Sequence, residues 1–284
     1  MEQRIVCWFS CGAASAVATK LAIEENNKAE SPKELIVASI YLKNEHPDSE
    51  RFKNECAKWF GQPILDLKNE KYDADVDMVI QKTRYMSGVR GARCTKELKK
   101  QVRLDWQRHN DIHVFGMTVE EEHRIDQLID GEPDLETWAP LIDKGYTKPD
   151  CFKVLNDAGI ELPEMYKLGY HNNNCIGCLK AAGAGYWNKI RVDFPDVFER
   201  RAHQEKILNV ALCKMSFNKF KRLHHDYYQM MVDDGFEPKV DSRGSMRLPL
   251  RYLPPDAGSH KDMDIGACGF FCETPKNDTY KLDL

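Results

Sequence analysis

The sequence predicts an α/β fold, a doubly wound parallel sheet followed by a cysteine-rich, mainly helical C-terminal part, and three observations carry that prediction. Apolar runs rich in β-branched and aromatic residues alternate with helix-forming stretches up to about residue 130. The turns leaving these runs are built from small or polar residues. Beyond residue 131 glycine and proline recur every few residues while aromatics and cysteines become dense, which predicts short helices and loops. The expected division is therefore an α/β domain over 1–130 and a second part over 131–284 packed on it, because no Gly/Ser/Pro linker separates them.

The elements follow in order. Arg4 to Ser10 is the first strand, Cys11-Gly12-Ala13-Ala14-Ser15 a tight loop, and Ala16 to Glu25 a helix. Leu35 to Leu42 is the second strand. It leaves through Asn44-Glu45-His46-Pro47-Asp48 into a helix over Ser49 to Phe60, where Phe52, Cys56, Trp59 and Phe60 have helical spacing. Pro63 to Leu67 gives a third strand, Ala74 to Lys82 and Thr95 to Arg108 give helices, and Ile112 to Met117 a fourth strand running into an acidic helix near Thr118. Strands alternating with helices in this way form a parallel sheet covered on both faces. Further on, Pro149 to Ala158 and Tyr186 to Asn209 are expected to be helical, and Asp241 to Pro255 and the stretch from Lys261 irregular or short-stranded. There is no internal repeat.

With 284 residues, 42% of them hydrophobic, the chain can bury a sizeable core. Its 41 Lys+Arg against 45 Asp+Glu give a formal charge of -4, so no global basic field draws it to nucleic acid or an anionic membrane, and any phosphate contact must be local. No apolar run approaches the roughly 20 residues that span a bilayer, and MEQRIVCWFS lacks the features of a signal peptide. The expectation is a cytoplasmic protein without a membrane partner. In a reducing compartment the ten cysteines divide by spacing: Cys7, Cys56, Cys151 and Cys213 fall in apolar or helical runs and read as packing.

Four segments could carry chemistry. In an open parallel sheet ligands sit beyond the carboxyl ends of strands, and the turn at Ser10, Gly12 and Ser15 offers hydroxyls, close backbone approach and a helix start suited to phosphate. A plain strand-to-helix turn has the same letters, since neither the dinucleotide glycine pattern nor a Walker A sequence is present. The stretch from Arg84 to Lys100 holds Arg84, Arg90, Arg93, Lys96, Lys99 and Lys100, with Thr95 as an N-cap candidate; it is either a solvated basic turn or a phosphate contact through Arg93 and Thr95. Gly116 ends the fourth strand before Glu120-Glu121-Glu122 and Arg124, acids that dipole compensation alone explains. Cys175-Ile176-Gly177-Cys178 and Cys268-Gly269-Phe270-Phe271-Cys272 are two close thiol pairs with the donor count and spacing of a structural zinc or iron-sulfur site, a redox pair or buried core being the alternatives. Lysines, histidines and aromatics interleave from Lys214 to Tyr228, which fits an amphipathic surface helix or a nucleic-acid contact.

Taken in order, these pieces resemble the PAPS reductase family of the adenine nucleotide alpha-hydrolase (PP-loop) superfamily, especially its small members often encoded by bacteriophages. Phe9-Ser10-Cys11-Gly12-Ala13-Ala14-Ser15 is similar to the PP-loop, Asn44 to Asp48 to the segment after the second strand, and Arg93-Cys94-Thr95-Lys96-Glu97-Leu98-Lys99 to the family's R-x-C-T-x-x-L-K segment. Pro140-Leu141-Ile142 with Lys148-Pro149-Asp150, then Leu168-Gly169-Tyr170 leading into Cys175 and Cys178, is similar to its P-L-I-D-W-T-x-x-D region and cysteine motif. Relative to the pyrophosphatase form S-G-G-x-D-S, Cys11 stands for a glycine and Ala14 for the aspartate. The reductase motif E-C-G-L-H keeps only Cys268-Gly269 here, and the adjacent Cys-Cys of iron-sulfur APS reductases is missing.

The resemblance implies an enzyme that binds ATP or a related adenine nucleotide with Mg²⁺ and cleaves it at the α-phosphate, in the service of sulfur transfer or another activation of a nucleic acid or small metabolite. It implies nucleotide contacts at Ser10, Cys11, Gly12, Ala13, Ala14, Ser15, Glu45, Arg93, Thr95, Gly116 and Arg124, with Lys99 neutralising the leaving group. Cys94 is the candidate reactive thiol. Cys175, Cys178, Cys268 and Cys272 would hold a [4Fe-4S] cluster or Zn²⁺, as in sulfur-inserting enzymes of DNA phosphorothioation and tRNA thiolation, with a nucleic acid or a sulfur-donor protein as partner and a homo-oligomer left open. Two alternatives remain: a thiol-dependent PAPS or APS reductase using Cys268, and a non-catalytic nucleotide sensor or nucleic-acid-binding module. A phage-encoded member would work in the host cytoplasm.

Overall fold

A computed structural model describes residues 2–88, 91–263 and 265. Within them the chain forms two compact units, one of residues 2–78 and 94–174, the other of 79–88, 91–93, 175–263 and 265.

The first unit is built on a five-stranded sheet: β1 (Ile5–Trp8), β2 (Leu35–Ile40), β3 (Ile64–Leu67), β4 (Ile112–Val114) and β5 (Thr137–Trp138), in the order β3-β2-β1-β4-β5. All four pairings are parallel, with Ile5 opposite both Leu35 and Ile112. The predicted doubly wound α/β fold is the observed one. Because strand side chains alternate, β1 serves two cores at once. Ile5 and Cys7 join α1 (Ala13–Lys28), α2 (Asp48–Phe60) and the later helix Lys148–Asp157 on one face; Val6 and Trp8 join Val102, Met117 and Leu128 on the other. Burial on both faces explains why β1 reads as an unbroken apolar run.

Several boundaries differ from the sequence expectation for local reasons. β1 ends at Trp8 rather than Ser10, and β4 at Val114 rather than Met117, because both chains leave the sheet to form the loops described below. The α3 helix (Val76–Thr83) is followed by a π-helical stretch, Thr95–Lys100, that runs directly into α4 (Gln101–Trp106). Thr95 is therefore not an N-cap: Cys94 before it already has helical φ/ψ, and Thr95 is buried within the helix. The acidic segment begins as a 3₁₀ turn, Val119–Glu121, ahead of α5 (Glu122–Gly131), and α6 (Lys148–Asp157) starts with a capping box in which Thr147 and Asp150 satisfy each other's backbone.

The second unit contains a short ribbon pairing Ser87–Gly88 with Gly91–Ala92, the helices α7 (Ala184–Asp193), α8 (Pro195–Leu208), α9 (Phe217–Leu223) and α10 (His225–Asp233), and an antiparallel pair, β6 (Cys213–Ser216) with β7 (Ser245–Leu248). The single helix expected over Tyr186 to Asn209 is two, because Pro195 cannot donate to the preceding turn and instead opens α8 at its first position. Glu205 ties this unit together: buried, it accepts the Leu212 N–H at 2.6 Å and the Leu250 N–H at 2.6 Å. Among the described residues no helix is long and apolar enough to cross a membrane.

Candidate nucleotide site

Strand order places a crevice at one point of the sheet. From β1 the chain crosses to β2 and β3 on one side, and β4 and β5 lie on the other, so the loops after β1 and β4 leave in opposite senses; ligands of open α/β sheets bind at such a switch point. Here the two loops meet. A Cβ on Gly116 would fall 2.4 Å from Ser15 Cα and 2.5 Å from Ser15 N, so only glycine permits the approach.

The β1 loop is ordered by its own hydroxyls. Ser15 Oγ donates to the Gly12 carbonyl at 2.9 Å and accepts from the Ser10 N–H at 3.1 Å, with Ser10 Oγ a further 3.1 Å partner. The N-cap of α1, Gly12, has no side chain to satisfy the first amides, and the first turn carries no acidic residue. The Ala13 N–H reaches Tyr166 Oη at 3.4 Å. A four-turn helix beginning in this way presents amide hydrogens and the positive end of its dipole at the strand end. Cys11 makes the turn with φ of 54°, the left-handed region, and is buried.

Beside the loop lies a cavity of about 300 Å³ lined by residues including Cys11, Ser39, Leu42, Glu45, His46 and Lys53. Loss of hydration pushes the Glu45 carboxyl up to about 7, against the opposing pull of Lys99 and Lys53. Burial, with the Glu45 charge second, pushes the Cys11 thiol well above its usual range, partly offset by Lys53 and by a hydrogen bond with Ser39. The wider π-helical turn carries buried Lys99 into this field, and irregular helices of this kind recur at functional sites. The structure thus brings together Ser10, Cys11, Gly12, Ala13, Ala14, Ser15 and Gly116 through the loops, and Glu45 and Lys99 through their charges. Arg124 pairs with Glu121 within its own segment. Cys94 is half-buried at the start of the helical stretch.

Arg93 belongs to the second unit, where its N–H donates to the Met86 carbonyl at 3.2 Å. Cys175 and Cys178, also in that unit, are buried on one turn whose Gly177 has φ of 67°. The Cys178 N–H donates to Tyr186 Oη at 2.9 Å, and buried Arg201 donates from Nε to the Gly177 carbonyl at 3.2 Å. The two buried thiols thus sit on a turn that is fixed from both sides. Cys268 and Cys272 lie outside the described residues, as does Arg90. Among the described residues no group of three or more His, Cys, Asp or Glu side chains could hold a metal ion. Cys7, Cys56, Cys151 and Cys213 are buried, as their spacing suggested.

Sequence reasoning missed Ser39, Lys53, Tyr166 and Asn173. The last two sit more than 150 positions after the loop they touch, and no local pattern announces such a contact. The Asn172-Asn173-Asn174 run ahead of Cys175 was the available signal.

No family model matches the chain, and no curated protein matches it by sequence. Among solved structures, the U34-tRNA thiolase NcsA from Methanococcus maripaludis with its [4Fe-4S] cluster is similar with a TM-score of 0.39 and 11% identity, over 82% of this chain and 72% of that chain.

Proposed function

We propose that this chain is a PP-loop enzyme of the PAPS reductase type, binding ATP or a related adenine nucleotide and cleaving it at the α-phosphate to activate an acceptor. The observation that carries the reading is the crevice at the sheet's switch point, where an α1 start whose Gly12 N-cap has no side chain, the Ser10 and Ser15 hydroxyls and the close approach of Gly116 converge. Phosphates would lie against the amides of residues 12–15, and the nucleoside in the adjoining cavity. An acceptor nucleophile attacks the α-phosphorus, forming the acceptor–AMP bond as the bond to pyrophosphate breaks. Lys99 and Arg124 are the cations assigned to the charge that develops on the leaving group, with Thr95 as a further contact. Mg²⁺ would neutralise the polyphosphate.

Cys175 and Cys178, with Cys268 and Cys272, are assigned to a [4Fe-4S] cluster or Zn²⁺; the two buried thiols on a single turn support this. Bound there, a cluster would supply soft-ligand chemistry for sulfur transfer to a nucleic acid or small metabolite, and Cys94 would be the separate reactive thiol. Calorimetric titration with ATP, joined to an assay for released pyrophosphate across candidate acceptors, tests the proposal. Saturable binding that is weakened in the Ser10→Ala variant is expected. A folded wild-type protein that binds no adenine nucleotide would overturn it, and binding without pyrophosphate or AMP formation would instead favour a nucleotide sensor.

A further inference from the structure

Cys11 is a side-chain-bearing residue in a conformation that favours glycine, and it sits at the turn that converts the end of β1 into the start of α1. Its carbonyl accepts a hydrogen bond from Asn173 Nδ2 at 2.8 Å, and the same amide nitrogen donates to Ser49 Oγ, near the start of α2, at 3.1 Å. Asn173 is 7% exposed. Its amide orientation is set by these contacts, since a carbonyl oxygen can only accept. The remaining atom, Oδ1, is buried without a hydrogen-bond partner among the described residues. An asparagine whose acceptor is unsatisfied contributes little to stability for its own sake, so its two donors are what it is placed to provide. The neighbouring Tyr166 hydroxyl, which takes the Ala13 N–H, also hydrogen-bonds with the Asn173 backbone, so one short segment touches the loop on both sides of Gly12.

We propose that Asn173 is a positioning residue for the phosphate loop: by binding the Cys11 carbonyl it holds Cys11 in the left-handed conformation that aims the α1 amides at an anion. The proposal rests on the nucleotide reading and names what keeps that site in shape. Engaging the carbonyl also matters electrostatically, because the Asn173 amide donor offsets part of the negative charge that an unbound carbonyl oxygen would present to a phosphate. The same kink places the Cys11 thiol against Ser39 in the cavity wall, so one hydrogen bond orients both the amides and the cavity surface.

The test is a cycle of Asn173→Ala and Cys11→Gly in the full chain. Glycine adopts the left-handed conformation without help, so the clamp should matter only when residue 11 carries a side chain. Asn173→Ala is expected to weaken ATP binding at least tenfold in the wild-type background and less than threefold in the Cys11→Gly background, with melting temperatures recorded for all four proteins. Equal losses in both backgrounds, or no loss in a folded Asn173→Ala protein, would overturn the proposal. Amide hydrogen exchange over residues 10–15 reads the clamp without any ligand: faster exchange in Asn173→Ala, suppressed by Cys11→Gly, is expected. That measurement separates the two failures, because unchanged exchange rejects the clamp, whereas faster exchange in Asn173→Ala alongside a wild-type protein that binds no nucleotide rejects only the nucleotide reading.

Discussion

Gly116 and Ser15 approach so closely that a single added carbon would lie 2.4 Å from the Ser15 Cα. The contact joins the loop after β4 to the first turn of α1, and the neighbour that a side chain would meet is backbone, which cannot swing aside. Gly116→Ala should therefore displace the loop and reduce nucleotide affinity by tenfold or more, while the second unit keeps its fold. Calorimetry with ATP and a thermal melt check this; undiminished affinity would show that the crevice is not where the nucleotide binds.

Glu45 gives the site a pH signature. With its carboxyl raised to about 7, the neutral form predominates in mildly acid solution and the charged form above neutrality. A charged Glu45 opposes a polyphosphate in the adjoining loop, so affinity should fall as pH rises through about 7, by on the order of tenfold, or about 1.4 kcal/mol. Glu45→Gln should flatten the profile between pH 6 and pH 8. A profile equally steep in the variant would assign the titration to another group.

Glu205 makes a parallel prediction for stability. Burial raises its carboxyl to about 8, only partly countered by the Leu250 and Leu212 amides. An acid whose folded-state value is raised stabilises the fold fully below its unfolded value near 4.3 and loses that contribution as pH climbs towards 8. Chemical denaturation at a series of pH values should show falling stability across this window. Glu205→Gln should remove the slope, at a cost of about 1–3 kcal/mol because its amide nitrogen faces a backbone donor.

Tyr186 and the cysteine turn are tested by metal content. Tyr186→Phe leaves the buried Cys178 N–H without its acceptor and should cost about 1–3 kcal/mol. Protein purified anaerobically is expected to contain iron with acid-labile sulfide, or zinc, that drops in Cys175→Ser and Cys178→Ser. Neither metal in the wild-type protein would return the thiols to a redox or packing role.

Much of the first unit was legible because its signals are local. β1, β2 and β3 announce themselves as apolar runs, and α2 by the spacing of Phe52, Cys56 and Phe60. The two-residue strand Thr137–Trp138 was not foreseen, since so short a segment becomes a strand only by pairing with β4. Pro195 marked the break between α7 and α8, yet helix-forming residues on both sides concealed it. For the site, Ser10, Gly12 and Ser15 could be picked out as a phosphate-type turn, whereas the Asn173 contact to Cys11 spans 162 positions.

By itself the sequence determined the α/β class, the order of the first four strands of the main sheet, and the residue types available for chemistry, because periodicity and turn composition act over a few residues at a time. Only the tertiary structure decided that β1 lies between β2 and β4, that Gly116 meets Ser15, that Glu45 shares its field with Lys99, and that Asn173 grips the loop. Those relations arise from burial and packing between segments far apart in the chain, and the same forces set the charge states through which the site would act.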